Sequence, residues 1–274
     1  MKSLEEIKKA ILKIRNINLD NDNAYSQIEQ IIKNDLVEID LPSKFFEPNL
    51  KFHRCCINYD NTDFQTVERI SFRTDLQNIT EFGRANMPHQ SIFYSADVRP
   101  TAILETSKAF RGENYKDIDT ISITTGHWES SQILKLSLFV GNKNAQEKNE
   151  LIKELDTDIE KLTIELFQDE SEKVFEILNF ISNEFATNTF ENNNLYKISC
   201  AFAQSAYQKS DGIVYPSLQR EFEGLNFAIK PEIVSNKLRL VYATHDKFIK
   251  VREKEYNHIE SKETTRIEGN KLYW

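Results

Sequence analysis

The chain has 274 residues, long enough for one large domain with appendages and a sizeable core. Its 39% hydrophobic and 28% charged residues match an ordinary globular composition, which argues against disorder over most of its length. A formal net charge of -8 argues against broad electrostatic binding to nucleic acid or anionic lipid, because neutralising phosphates needs a surplus of Lys and Arg.

Leu4, Ile7, Ile11 and Ile14 recur at helical spacing, and Ile28, Ile31, Ile32 and Leu36 do so again after the polar break at Asp20 to Asn23. A helical hairpin is expected there. Pro42 and Pro48 bracket a short connector, after which Leu50, Phe52, Arg54 and Cys56 alternate with Lys51, His53 and Cys55 as a strand would. SIFYSA (Ser91 to Ala96) reads as a second strand, and Pro100 suits the first turn of the helix PTAILETSKAF that comes next. IDTISITT and ILKLSLFV are two further strands. Between Asn144 and Asn194 the apolar spacing becomes helical, with a break at Asp169 to Ser171. A helix at Tyr196 to Gln208, strands at DGIVYPS and GLNFAIKP, and alternation at Leu238, Leu240 and Tyr242 complete the pattern, with a loose polar stretch near Ser261 to Thr265. Strands that cluster without regular βαβ alternation point to an α+β fold.

Several chemistries lack a signature. Cys55, Cys56 and Cys200 form no CxxC pair, so neither a disulfide framework nor a zinc site is indicated and a reducing compartment is expected. The segment MKSLEEIKKAILKI carries charges through its apolar positions, unlike a secretory signal, and no stretch approaches the ~20 apolar residues of a membrane helix. A cytoplasmic protein without membrane or nucleic-acid partners is the expectation. Seven glycines contain no GxGxxG and no GxxxxGK[ST], so Rossmann and P-loop sites are unsupported. The five histidines show no HxxxH spacing, and no metal site is expected.

Three segments carry a resemblance. FHRCCINYD (Phe52 to Asp60) presents an arginine, Arg54, on an early strand; GRANMPHQSIFYSADVRPTAILET (Gly83 to Thr106) joins a Gly-Arg-x-Asn turn, a Tyr-Ser-Ala strand end and a helix bearing Glu105; DGIVYPSLQREFEGLNFAIKP (Asp211 to Pro231) holds Ser217 before a Gly-x-Asn strand. Together and in this order they resemble the RES family, named for its Arg, Glu and Ser, over roughly two thirds of the chain. The resemblance implies a small mixed or antiparallel split sheet of ADP-ribosyltransferase-like type with flanking helices. It implies an NAD-degrading enzyme, a glycohydrolase or phosphorylase cleaving the nicotinamide-ribose bond, toxin-like in slowing growth and open to neutralisation by a protein antitoxin. NAD is then a substrate, with no further cofactor. Residues 1–47 would be an N-terminal helical extension and residues 48–274 the catalytic domain, with residues 144–194 a helical insertion. An ADP-ribosyltransferase acting on a protein and a catalytically degenerate binding module are the alternatives.

Cleavage of NAD passes through an oxocarbenium-like ribose, so a site must hold the pyrophosphate and stabilise developing positive charge. Arg54 shares a strand face with Phe52, and an inward arginine needs either an anionic ligand or a structural salt bridge. Arg84 and Asn86 occupy the GRAN turn as a phosphate cradle, or as an exposed arginine and a residue satisfying its own backbone. On a helix Glu105 lies about 60° from Ala102 and about 40° from Ala109, at the edge of the apolar face, where it could steady the cation or accept from the ribose 2′-hydroxyl. Tyr94 would stack on a ring of NAD or sit in the core. Ser217, after Pro216, would turn a hydroxyl into open space to position ribose or carboxamide, or be an ordinary turn serine. Asn226 either lines the site or caps a strand.

Overall fold

The computed structural model describes residues 2–36, 41–59, 61–111, 120–187, 192–252 and 255–274. Ser3 opens the first helix: its hydroxyl accepts from the Glu6 backbone N–H while the Glu6 carboxylate accepts from the Ser3 N–H, a reciprocal cap that starts α1 (Leu4–Arg15). Helix α1 turns Ile7, Ala10, Ile11 and Ile14 inward. Helix α2 (Ala24–Ile31), continued by a wider π turn at Ile32–Leu36, adds Tyr25, Ile28, Ile32 and Leu36 to the same core.

Nine strands form the main sheet among the described residues: β1 (Ser43–Phe46), β2 (Lys51–Asn58), β3 (Phe93–Ala96), β4 (Thr120–Ser130), β5 (Leu134–Leu138), β6 (Gly212–Pro216), β7 (Leu225–Ile229), β8 (Leu238–Arg252) and β9 (Glu255–Glu263). Their order is β1-β5-β6-β7-β3-β2-β4-β8-β9, antiparallel throughout except for the β5–β6 pair. A separate hairpin joins β10 (Arg266–Glu268) to β11 (Lys271–Tyr273). The fold is therefore α+β with a mostly antiparallel sheet, and that sheet is larger than the small split sheet expected from the sequence.

Two segments explain the difference. The connector between Pro42 and Pro48 contains β1, an edge strand paired with β5, and prolines flanking a strand are tolerated at a sheet edge. Ser261 to Glu263, expected to be loose, end β9 and pair with Asp246 to Thr244. Strand β9 is a charged, exposed edge, which hides its alternation in sequence while discouraging edge-to-edge aggregation.

Helices α4 (Lys143–Lys148), α5 (Glu150–Phe167), α6 (Ser171–Phe185) and α7 (Tyr196–Tyr207) cover one part of the sheet. Their buried side chains, Ile152, Leu155, Ile159, Val174, Ile177, Ile181, Phe185 and Phe202 among them, share one core with α1, α2, β5, β6 and β7. The helices α4 to α6 and the N-terminal helices α1 and α2 therefore pack into the main core. A short helix α8 (Pro231–Lys237) leads into β8.

The sheet has a seam between β2 and β3. Strands β2 and β4 are in register over eight pairs from Lys51↔Glu129 to Asn58↔Ser122, whereas β2 and β3 share the single pair His53↔Ala96. The sheet thus consists of β1-β5-β6-β7-β3 and β2-β4-β8-β9, hinged at one point. Helix α3 (Arg99–Thr106) lies over this join, burying Ala102 with Cys55, Ala96, Ile121, Ile123 and Phe248.

Candidate active site

A cleft of about 300 Å³ opens at the seam, at the lower end of the size range of ligand pockets. Strand β2 contributes His53 and Arg54, β3 contributes Tyr94, and α3 contributes Glu105; Tyr215 and Asn226 come from β6 and β7, and Arg84, Tyr196 and Gln219 close the walls.

Helix α3 fixes Glu105. Val98 is extended, Pro100 occupies the first turn where no N–H is needed, and the helix ends at Thr106 with Ser107 extended again. The Glu105 carboxylate then meets two donors, Ser217 Oγ just past the end of β6 at 2.6 Å and Asn226 Nδ2 on β7 at 2.7 Å, both onto Oε1. Ser217 is fully buried, so its hydroxyl does not face the open space expected of it; the bond to Glu105 takes up its only proton. Backbone pairing explains the burial, because Ser217 N–H donates to Gly224 O at 2.8 Å and the 217–224 turn folds back on α3. Gly224 permits that approach: a Cβ there would sit 2.2 Å from Thr101 Oγ1.

Arg54 bridges the seam. Its Nε donates to Ser71 O and its Nη1 to Tyr94 O, both at 2.7 Å, and the guanidinium lies 5.5 Å from the Phe93 ring centroid. Arg84 donates Nη1 to Phe185 O at 2.6 Å and reaches Thr187 O at 3.3 Å, at the carbonyl end of α6, where a cation is favoured by the helix dipole. Its guanidinium stands 5.0 Å from the Tyr196 ring and 6.0 Å from the Tyr215 ring. Arg84 is thus half-buried and held, not an exposed loop side chain. Among the described residues neither Arg54 nor Arg84 has a carboxylate partner, so the salt-bridge alternative for Arg54 is not what the structure shows.

The GRAN turn is held by Tyr94. The Tyr94 hydroxyl donates to Asn86 Oδ1 at 2.8 Å and accepts from the Ala85 N–H at 2.9 Å, while Asn86 Nδ2 donates to Met87 O. Burial pushes the Tyr94 phenol well above its ordinary range and keeps that proton in place. Gly83 makes the turn close enough, since a Cβ there would meet Asn86 Oδ1 at 2.2 Å and Tyr94 OH at 3.0 Å. Tyr94 and Asn86 therefore order the turn that presents Arg84, and Asn86 is committed to protein partners.

The structure brings Arg54, Arg84, Tyr94, Glu105 and Asn226 to one cleft, with Ser217 behind Glu105 and Asn86 behind Tyr94. His53, Tyr196, Tyr215 and Gln219 also line the cleft, although the sequence motifs assign them no role. Tyr215 and Gln219 flank Ser217 in YPSLQ and lie within reach of a reading of that motif; Tyr196 has no local signal. Cys55 also borders the cleft, but burial pushes its thiol up to about 12, which leaves it unreactive as a nucleophile.

No protein-family model matches the chain, and no curated protein does.

Proposed function

We propose that the chain cleaves the nicotinamide-ribose bond of NAD and so depletes the cofactor. The observation that carries this reading is the Glu105 carboxylate, anchored through Oε1 by Ser217 and Asn226 in a cleft that also holds two guanidinium groups without carboxylate partners among the described residues. An anchored carboxylate is suited to a ribose gaining positive charge, and Oε2, uncommitted among the described residues, is the oxygen to face it. Arg54 and Arg84 are suited to the pyrophosphate. In this reading the nicotinamide riboside half occupies the cleft, with the adenosine half toward its mouth. The resemblance to the RES family supports the same assignment, as do its arginine, glutamate and serine falling at one site. Growth inhibition and capture by a neutralising protein are proposals that extend from NAD depletion.

Purified protein incubated with NAD is expected to release nicotinamide together with ADP-ribose or, with phosphate present, its 1″-phosphate. Full activity in excess chelator is expected, because the groups named are organic side chains. Intact NAD after prolonged incubation with folded protein, or activity restored only by a divalent ion, would refute the proposal.

Arg54 supplies a second test. Lysine carries one ammonium and cannot bond Ser71 O and Tyr94 O in a plane while still offering a donor to an anion. Arg54→Lys is therefore expected to lower kcat/KM for NAD nearly as far as Arg54→Ala, roughly tenfold or more, the ~1.5–3 kcal/mol of a lost hydrogen bond to a charged group. Steady-state kinetics well below each variant's melting temperature would check this. Near-normal turnover by the lysine variant would reduce the contact to simple charge.

A further inference from the structure

A histidine pair beside the cleft has no part in the contacts made by Arg54, Arg84 and Glu105. His53, on the cleft wall, and His127, its registered partner on β4, meet edge to face with ring centroids 4.9 Å apart and their Nδ1 atoms at 2.9 Å. His127 is fixed on its other sides: its ring stacks on Tyr242 at 4.1 Å, and Nε2 lies 3.3 Å from Thr244 Oγ1. Resting on the proposed NAD cleavage, we infer that His53 is the base that takes a proton from the water attacking the ribose, with His127 as the residue that holds His53 in the required tautomer.

Two Nδ1 atoms at hydrogen-bond distance can be satisfied only when one carries the proton and the other the lone pair. If His53 Nδ1–H donates, His53 Nε2 carries the lone pair a base needs, and His127, accepting at Nδ1, directs Nε2–H to Thr244. This repeats the logic of a base oriented by a third group. The groups packed around the pair favour its neutral form. Burial lowers both imidazole pKa values, His127 to about 4; Lys51 on β2 and Arg99 on α3 act in the same direction on His53, and for His127 the neighbouring His53 and Arg99 outweigh Asp246 on β8. Arg54, next along β2, adds a further positive charge to the cleft. A neutral base at pH 7 is what the step requires.

In that step the water oxygen forms a bond to C1″ of the nicotinamide-bearing ribose, and the electron pair of the C1″–N bond leaves with nicotinamide, which becomes neutral. The water proton passes to His53 Nε2, and the resulting imidazolium keeps its Nδ1–H on His127 until the proton is lost to solvent. Hydrogen phosphate dianion can attack without losing a proton, whereas water must lose one. The pair therefore assigns water as the acceptor and a glycohydrolase as the activity.

The test uses the wild-type chain, His53→Gln, His127→Leu and His127→Asn, whose amide oxygen can replace Nδ1. With NAD and phosphate both present, wild type is expected to form ADP-ribose, with an acid limb in its pH profile below the ordinary imidazole value of 6.5. His53→Gln is expected to hydrolyse about a hundredfold more slowly, and added azide, which needs no base, to restore nicotinamide release. His127→Leu should lose hydrolysis while His127→Asn recovers much of it. Nitrogen-15 shifts should show Nδ1–H on His53 and Nε2–H on His127 independently of turnover. The inference is overturned if wild type forms chiefly the phosphorylated product, if His53→Gln hydrolyses normally or is not rescued by azide, or if the tautomers are reversed. A wild-type protein inert toward NAD removes the parent proposal as well, whereas normal cleavage by His53→Gln removes only the histidine assignment.

Discussion

Replacing Glu105 by glutamine is expected to lower NAD turnover roughly a hundredfold or more while leaving NAD affinity nearly unchanged. The structure makes this substitution informative. Ser217 Oγ and Asn226 Nδ2 both donate to Oε1, and a glutamine carbonyl can receive both bonds in the same place. Shape and anchoring survive, and only the negative charge is lost. Charge felt mainly by the oxocarbenium-like transition state appears in kcat and much less in binding. Steady-state kinetics and calorimetric titration with NAD would separate the two quantities. Expression in a bacterial host gives a second readout, since wild type should slow growth and the glutamine variant should not. A folded Glu105→Gln protein cleaving NAD at the wild-type rate would remove this residue from the mechanism.

The largest expected loss of stability lies behind the cleft. Arg99, at the start of α3, pairs through Nη2 at 2.5 Å with Asp246 Oδ2 on β8, and Asp246 is 0% exposed. Ser261 Oγ and His258 Nε2 hold the other oxygen at 2.8 and 3.0 Å. Arg99→Met keeps the aliphatic bulk but strands a carboxylate whose ionic partner is gone, and breaking a buried pair from one side costs about 3–5 kcal/mol. Urea unfolding should show a lower midpoint with an unchanged slope. Removing both charges in Arg99→Met/Asp246→Leu is expected to recover a large part of that loss, because no unpaired charge then remains. A single variant as stable as wild type would mean that Ser261 and His258 alone satisfy Asp246.

Most individual elements are legible in the sequence because their apolar spacing is local. Helix α1 shows its stripe at Ile7, Ile11 and Ile14, β3 its run FYSA, and the α5 to α6 break falls at Gln168 to Glu170, beside the expected Asp169 to Ser171. Strand β1 is hidden by its flanking prolines and β9 by its charged, exposed faces, so the sequence alone suggests a smaller sheet than the chain forms. In the site, residue types within motifs can be picked out, but their partners cannot. Glu105 meets Ser217 across 112 positions and His53 meets His127 across 74, and no periodicity reports a contact of that kind. The burial of Ser217 against Glu105, where an open hydroxyl is expected, has the same cause. A serine after proline reads as a turn hydroxyl until the helix it faces is known.

The seam between β2 and β3 also bears on how the chain reaches this state. Along the sequence, β1 belongs to one half of the sheet, β2 to the other, β3 to the first and β4 to the second; β5 to β7 return to the first and β8 and β9 finish the second. The halves are interleaved, and no single backbone cut divides them. Neither can complete itself from a contiguous stretch, so loop closure must precede most of the reward from packing, the condition that makes folding slow. Refolding from denaturant is accordingly expected to be slow, and a fragment ending before β7 lacks the Asn226 bond that anchors Glu105.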